Sequence, residues 1–198
     1  MKKLLFSTFL ALSILAHAQY TLPAASPRQK IEQQFSLSKI TVDYGRPGVK
    51  GRKIFGELVP FGQVWRAGAN SSTKISFGQS VLFGGKIVPA GTYGLFIQPT
   101  ENAWKVILNK HSQNWGTQYD AKLDLLDVTV PVQRLVEKQE WFEITIQPVD
   151  DNTADLVFKW DNTKAVVPIK TSNAEAALKI SEKLREIRQI ERDAAAKK

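Results

Sequence analysis

At 198 residues the chain is long enough for one domain with a sizeable buried core and needs no covalent staple. It contains no cysteine, which rules out disulfides, thiolate metal sites and a lipid-acceptor thiol. The formal charge of +8 attracts polyanions without specifying one, so its distribution along the chain says more than its size.

Met1-Lys2-Lys3, the apolar run from Leu4 to Leu15 and the small-x-small Ala16-His17-Ala18 read as a secretory signal, residues 1–18, cleaved after Ala18. That run is short of the ~20 residues that cross a bilayer, and no later segment is long and apolar enough. The expectation is a soluble protein of the periplasm or the extracellular space, with a β domain over 19–172 and a helix and tail over 173–198.

Ser26-Pro27-Arg28-Gln29 has the residues of a helix cap, but Ile31, Phe35 and Leu37 favour an irregular strand. Ile40, Val42 and Tyr44 then alternate with Thr41 and Asp43, the period of a half-buried strand. Arg46-Pro47-Gly48-Val49 carries the proline and glycine of a type II turn. The next strand begins near Thr73, so a connection of roughly 28 residues intervenes, far longer than a hairpin needs. Gly45, Gly48, Gly51, Gly56, Gly62 and Gly68 are spread along it, and Ile54, Phe55, Leu58, Val59, Phe61, Val64 and Trp65 give it an apolar side of its own. From Asp43 to Lys74 six basic residues stand against Asp43 and Glu57, a net +4.

From Thr73 the chain reads as hairpins. Gly84-Gly85 suits a primed two-residue turn, and Tyr93, Leu95 and Ile97 pair with Trp104, Val106 and Leu108 across a polar turn. Phe96 and Ile107 on the opposite faces of those strands imply that the second face is covered as well. Asn109 to Lys122 is a second irregular stretch, followed by strands at 125–132, 141–147, 155–160 and 165–169, with turns at Asp150-Asp151-Asn152 and Asp161-Asn162-Thr163. The fold class predicted is mainly β: an antiparallel sandwich with a long glycine- and arginine-rich loop and one C-terminal amphipathic helix. In that helix Ser172 and Glu175 form a capping box, and Ala177, Ile180, Leu184 and Ile187 make a narrow seam that covers the domain or pairs two chains as a homodimer.

Asp43-Tyr44, the string from Arg46 to Gly56, and Trp65-Arg66-Ala67-Gly68-Ala69-Asn70 resemble the signature of the domain of unknown function 2911 family of secreted bacterial proteins. Pro89-Ala90-Gly91-Thr92-Tyr93, Asn109-Lys110 and Trp115-Gly116 resemble its later blocks, and the likeness covers roughly 26–169. Gly45 departs from the family pattern, which more often carries serine there. The resemblance implies export but supplies no catalytic residues.

The residues themselves make Arg46, Lys50, Arg52 and Arg66, with Asn70, candidates to converge on an anion, helped by backbone N–H groups between the glycines. The plainer reading is that the arginines pin the loop to carbonyls and acids while the lysines are solvated. Trp65, Trp115 and Tyr119, on irregular segments, are candidates to stack on sugars, against the plainer reading of core filling. His111, the one histidine outside the signal, cannot build a multi-histidine metal site, and no Gly-x-Ser-x-Gly elbow accompanies it. No cofactor, metal or specific nucleic-acid partner is implied. The sequence therefore favours a non-enzymatic binding or accessory domain for an anionic or polyhydroxylated ligand, such as a glycan or surface polymer. Its rivals are a hydrolase using His111 with nearby acids, and a structural or assembly protein.

Overall fold

The computed structural model describes residues 22–113 and 118–196, so the expected signal and Trp115 lie outside the described residues. Strands β1 (Arg28–Phe35), β2 (Ser38–Gly45), β3 (Thr73–Phe77), β4 (Val81–Phe83), β5 (Lys86–Val88), β6 (Gly91–Pro99), β7 (Ala103–Asn109), β8 (Asp124–Asp150) and β9 (Thr153–Thr171) precede one helix, α1 (Ala174–Ala195). All pairings are antiparallel, in the order β1-β2-β3-β6-β7-β8-β9-β4-β5. The segment after Ser26 is a strand, as its apolar residues suggest.

The expected antiparallel β architecture is present as one continuous sheet folded over on itself. Its two halves share β8, whose beginning pairs with β7 and whose end pairs with β9. Where four strands and two turns are expected between 125 and 169, there are two long strands. The Asp161-Asn162-Thr163 segment is not a turn: Thr163 pairs with Arg134 and Asp161 with Gln139, and Asp161 adopts φ 50° at a register shift. Such irregularities bend a strand without ending it, which takes β8 around the corner. The Asp150-Asp151-Asn152 turn does join β8 to β9.

Alternation fills the space between the halves. Ile40, Val42 and Tyr44 are fully buried; Ile40 and Val42 oppose Phe77 and Ile75 on β3, while Leu95 and Ile97 on β6 oppose Leu108 and Val106 on β7. Edge-on rings join the halves: Phe77 meets Phe83 at 6.1 Å, and Tyr44 meets Phe142 at 5.8 Å. Tyr44 also reaches the buried backbone of β8 at Ile144. Its hydroxyl accepts from the Ile144 N–H at 2.9 Å and donates its one proton to Gln29 Oε1 at 2.9 Å or to the Ile144 carbonyl at 3.3 Å.

Helix α1 is capped by Asn173, whose Oδ1 accepts from the Ala176 N–H at 2.9 Å. The expected Ser172–Glu175 box does not form, because the Ser172 hydroxyl donates to the carbonyl of Ser80, just before β4, and Glu175 pairs with Lys179. Only Ala177 of the helix is buried. A chain ending at Ser172 should therefore still unfold cooperatively, losing about 1 kcal/mol or ~2–4 °C of melting temperature. Loss of the cooperative transition in calorimetry would make the helix part of the core. No helix among the described residues is long and apolar enough to cross a membrane.

Candidate functional site

The connection from Arg46 to Ser72 is folded upon itself and stitched to both halves of the sheet. Its first part runs beside β8: the Val49 N–H donates to the Glu140 carbonyl at 2.8 Å and the Phe142 N–H to Pro47 at 2.9 Å. Gly48 lies in this extended run and not in a left-handed position, so the type II turn expected at 46–49 is absent. The reversal comes later, at Val49-Lys50-Gly51-Arg52, where Lys50 and Gly51 adopt φ 48° and 72° and the Arg52 N–H closes on the Val49 carbonyl at 3.0 Å. Two consecutive positive φ values make this a type I′ turn.

The cations of this part are occupied by the protein. Arg46 Nε donates to the Phe142 carbonyl at 3.1 Å. Although Arg52 is exposed, its guanidinium donates to the carbonyls of Gly48 at 2.5 Å and Val49 at 3.1 Å, bracing the turn. Lys50 lies over the Trp141 ring at 5.7 Å, and Lys53 pairs with Glu57 at 3.2 Å.

The middle of the loop turns around Ile54, which is fully buried in the core and whose carbonyl accepts from the Val59 N–H at 2.9 Å. Next to it Phe55 packs on Trp104 at 5.0 Å. The last part replaces a strand. β3 pairs with β6 only as far as Leu95, which leaves the edge of β6 open from there. Trp65 fills it, donating to Ile97 at 2.7 Å and accepting from it at 2.8 Å, while the Gly62 N–H reaches Pro99 at 2.9 Å. The Trp65 ring stacks on Trp160 at 5.4 Å and its Nε1 donates to Gly68 at 2.9 Å, so this side chain is largely committed to packing.

Between this last part and the outer face of β6 lies a cavity of about 310 Å³. Val59, Pro60, Val64 and Phe96 supply its apolar surface, with Leu58 at the rim; Gln63 and Arg66 bring polar groups, and the rings of Trp65 and Tyr119 complete the wall. Tyr119 packs on Phe96 at 5.0 Å, and its hydroxyl donates to Asp124 Oδ2 at 2.5 Å. Asn109 holds that carboxylate from the other side, with Nδ2 2.8 Å from Asp124 Oδ1. Burial first, then the Asp124 hydrogen bond and charge, push the phenol well above its ordinary value, so it stays protonated and fixed as a wall at neutral pH.

Of the residues singled out from the sequence, Arg66, Trp65 and Tyr119 meet at this cavity. Arg46, Lys50 and Arg52 sit apart from it on the β8 side of the loop. Asn70 is an exposed left-handed residue with φ 65° where the loop returns to β3, and His111 is exposed and does not line the cavity. Arg66 differs from the loop's other arginines: among the described residues its guanidinium has no hydrogen-bond or ion-pair partner, and no acidic side chain lines the cavity. No group of three His, Cys, Asp or Glu side chains among the described residues is placed to hold a metal. Sequence reasoning did not select Phe96, Gln63 or Val64; the apolar Phe96 on the outward face of β6 was the signal that something covers that face.

A family model described as "Protein of unknown function (DUF2911)" matches residues 26–169, more than half of the chain. No curated protein and no solved structure matches it.

Proposed function

The chain belongs to the DUF2911 family, and from that premise we propose that it is an exported binding domain whose long loop holds a small acidic ligand, such as the uronic acid unit of a glycan, against the outer face of β6. The observation that carries this reading is the Arg66 guanidinium, without a hydrogen-bond or ion-pair partner among the described residues, in the wall of a cavity of mixed polar and apolar lining to which no described carboxylate contributes. A guanidinium presents several donors in a rigid fork that matches a carboxylate or phosphate, and burial beside apolar surface strengthens such a bond. At about 310 Å³ the cavity is at the small end of ligand sites, sized for one sugar ring or a small aryl acid. The flat faces of Phe96 and Tyr119 suit either.

The test is titration calorimetry with uronic-acid oligosaccharides and their neutral counterparts of the same linkage. The acidic series should bind and the neutral series should be at least tenfold weaker, roughly 1.4 kcal/mol. Equal affinity for both, or binding to neither, contradicts the reading. The bonds of Arg46 and Arg52 to backbone carbonyls support a second role for the same loop, as a clasp that closes one end of the folded sheet.

A further inference from the structure

Helix α1 buries only Ala177 and then runs beside the sheet, with Leu178, Ser181 and Arg185 facing the β8–β9 turn and the end of β1 across an open groove, while Ile180 is 49% exposed, Leu184 43% and Ile187 51%. Ile180, Leu184, Ile187 and Glu191 lie on one stripe at steps of four, three and four residues. That spacing reads the same in both directions. A stripe whose spacing is symmetric about its own midpoint can mate in register with a reversed copy of itself, here with Leu184 and Ile187 forming the central apolar layers.

We propose that two copies of the chain associate through antiparallel pairing of α1, with Leu184 of one chain opposite the partner's Ile187. Charge selects this direction. In a parallel pair Glu191 meets the partner's Glu191 across the seam, and Lys183 flanks the partner's Arg188, two like-charge contacts. In the antiparallel pair Glu191 falls beside the partner's Ile180 and within reach of the partner's Lys183. Lys183 now pairs with Glu186 at 2.8 Å on the helix surface, an exposed contact that is easily exchanged. The helix has five basic and five acidic residues between Ala174 and Ala195, so no net repulsion opposes self-association.

Light scattering after size exclusion should give twice the chain mass in the micromolar range, and Leu184→Lys should return it to the single-chain mass with an unchanged β signal in circular dichroism. The chain lacks cysteine, so introduced thiols report direction without background. Oxidising a mixture of Ile180→Cys and Glu191→Cys proteins should link unlike variants; the two positions are about 16 Å apart along one helix, too far for like variants to link in an antiparallel pair. A single-chain mass at all concentrations, a dimer that survives Leu184→Lys, or crosslinks between like variants would overturn the proposal.

Discussion

Ile54→Ala is expected to lower the unfolding free energy by about 2–5 kcal/mol, the range for truncating a fully buried aliphatic side chain whose site cannot collapse. Ile54 belongs to the core cluster although it sits in the loop between β2 and β3, and the backbone folds around it through Val59 and Glu57, both donating to its carbonyl. Shrinking it removes apolar contact and leaves a cavity in the core cluster to which Ile54 belongs. In urea this should appear as a lowered midpoint with an unchanged slope, equivalent to ~5–20 °C of melting temperature. A change below about 0.5 kcal/mol, the size of a neutral surface substitution, would show that the loop is an appendage and not part of the core.

Tyr44→Phe is expected to destabilise by about 1–3 kcal/mol with no loss of volume, because it strands the Ile144 N–H and the Gln29 amide oxygen that the hydroxyl now serves. The pH dependence separates this from a packing effect. Burial raises the phenol above its usual value of 10.0 in the folded chain, with the Ile144 hydrogen bond working against the shift. A raised folded-state value means the neutral form stabilises the fold below that usual pH, and the contribution is lost as pH rises through the folded-state value. Above pH 10, then, the wild type should lose stability more steeply than Tyr44→Phe. Parallel pH profiles would show that the hydroxyl is not held as described.

These two positions mark what was legible in the sequence. Tyr44 ends an alternating strand, and two-residue periodicity is a local signal, so its burial and the pairing around it could be read directly. Its hydrogen bond to Ile144 could not, since nothing near Tyr44 indicates which distant backbone edge lies open. The same limit explains the loop. Its apolar residues announced that it buries a face, but the type I′ turn at Lys50-Gly51 and the bracing role of Arg52 depend on the Gly48–Trp141 pairing with β8. Strand ends between 125 and 169 were misplaced because polar residues such as Asp161-Asn162-Thr163 signal a turn locally, while pairing with Arg134 and Gln139 keeps the segment extended. At the candidate site, charge spacing grouped four cations. The fold separates them by role, and of the four only Arg66 lines the cavity, with no hydrogen-bond or ion-pair partner among the described residues.

That separation is open to one direct measurement: calorimetric titration of a uronic-acid oligosaccharide into wild type, Arg66→Ala and Arg52→Ala, with a melting curve for each. Removing Arg66 should weaken binding by about 1.5–3 kcal/mol, roughly 10- to 150-fold, and leave the melting temperature in place, since no group among the described residues loses a partner. Removing Arg52 should do the reverse, lowering the melting temperature by ~2–6 °C through the Gly48 and Val49 carbonyls it leaves unserved while affinity stays within a few-fold. Affinity that falls with Arg52 and not with Arg66, or a wild type that binds no acidic saccharide at all, would contradict the assignment of the cavity as the binding site.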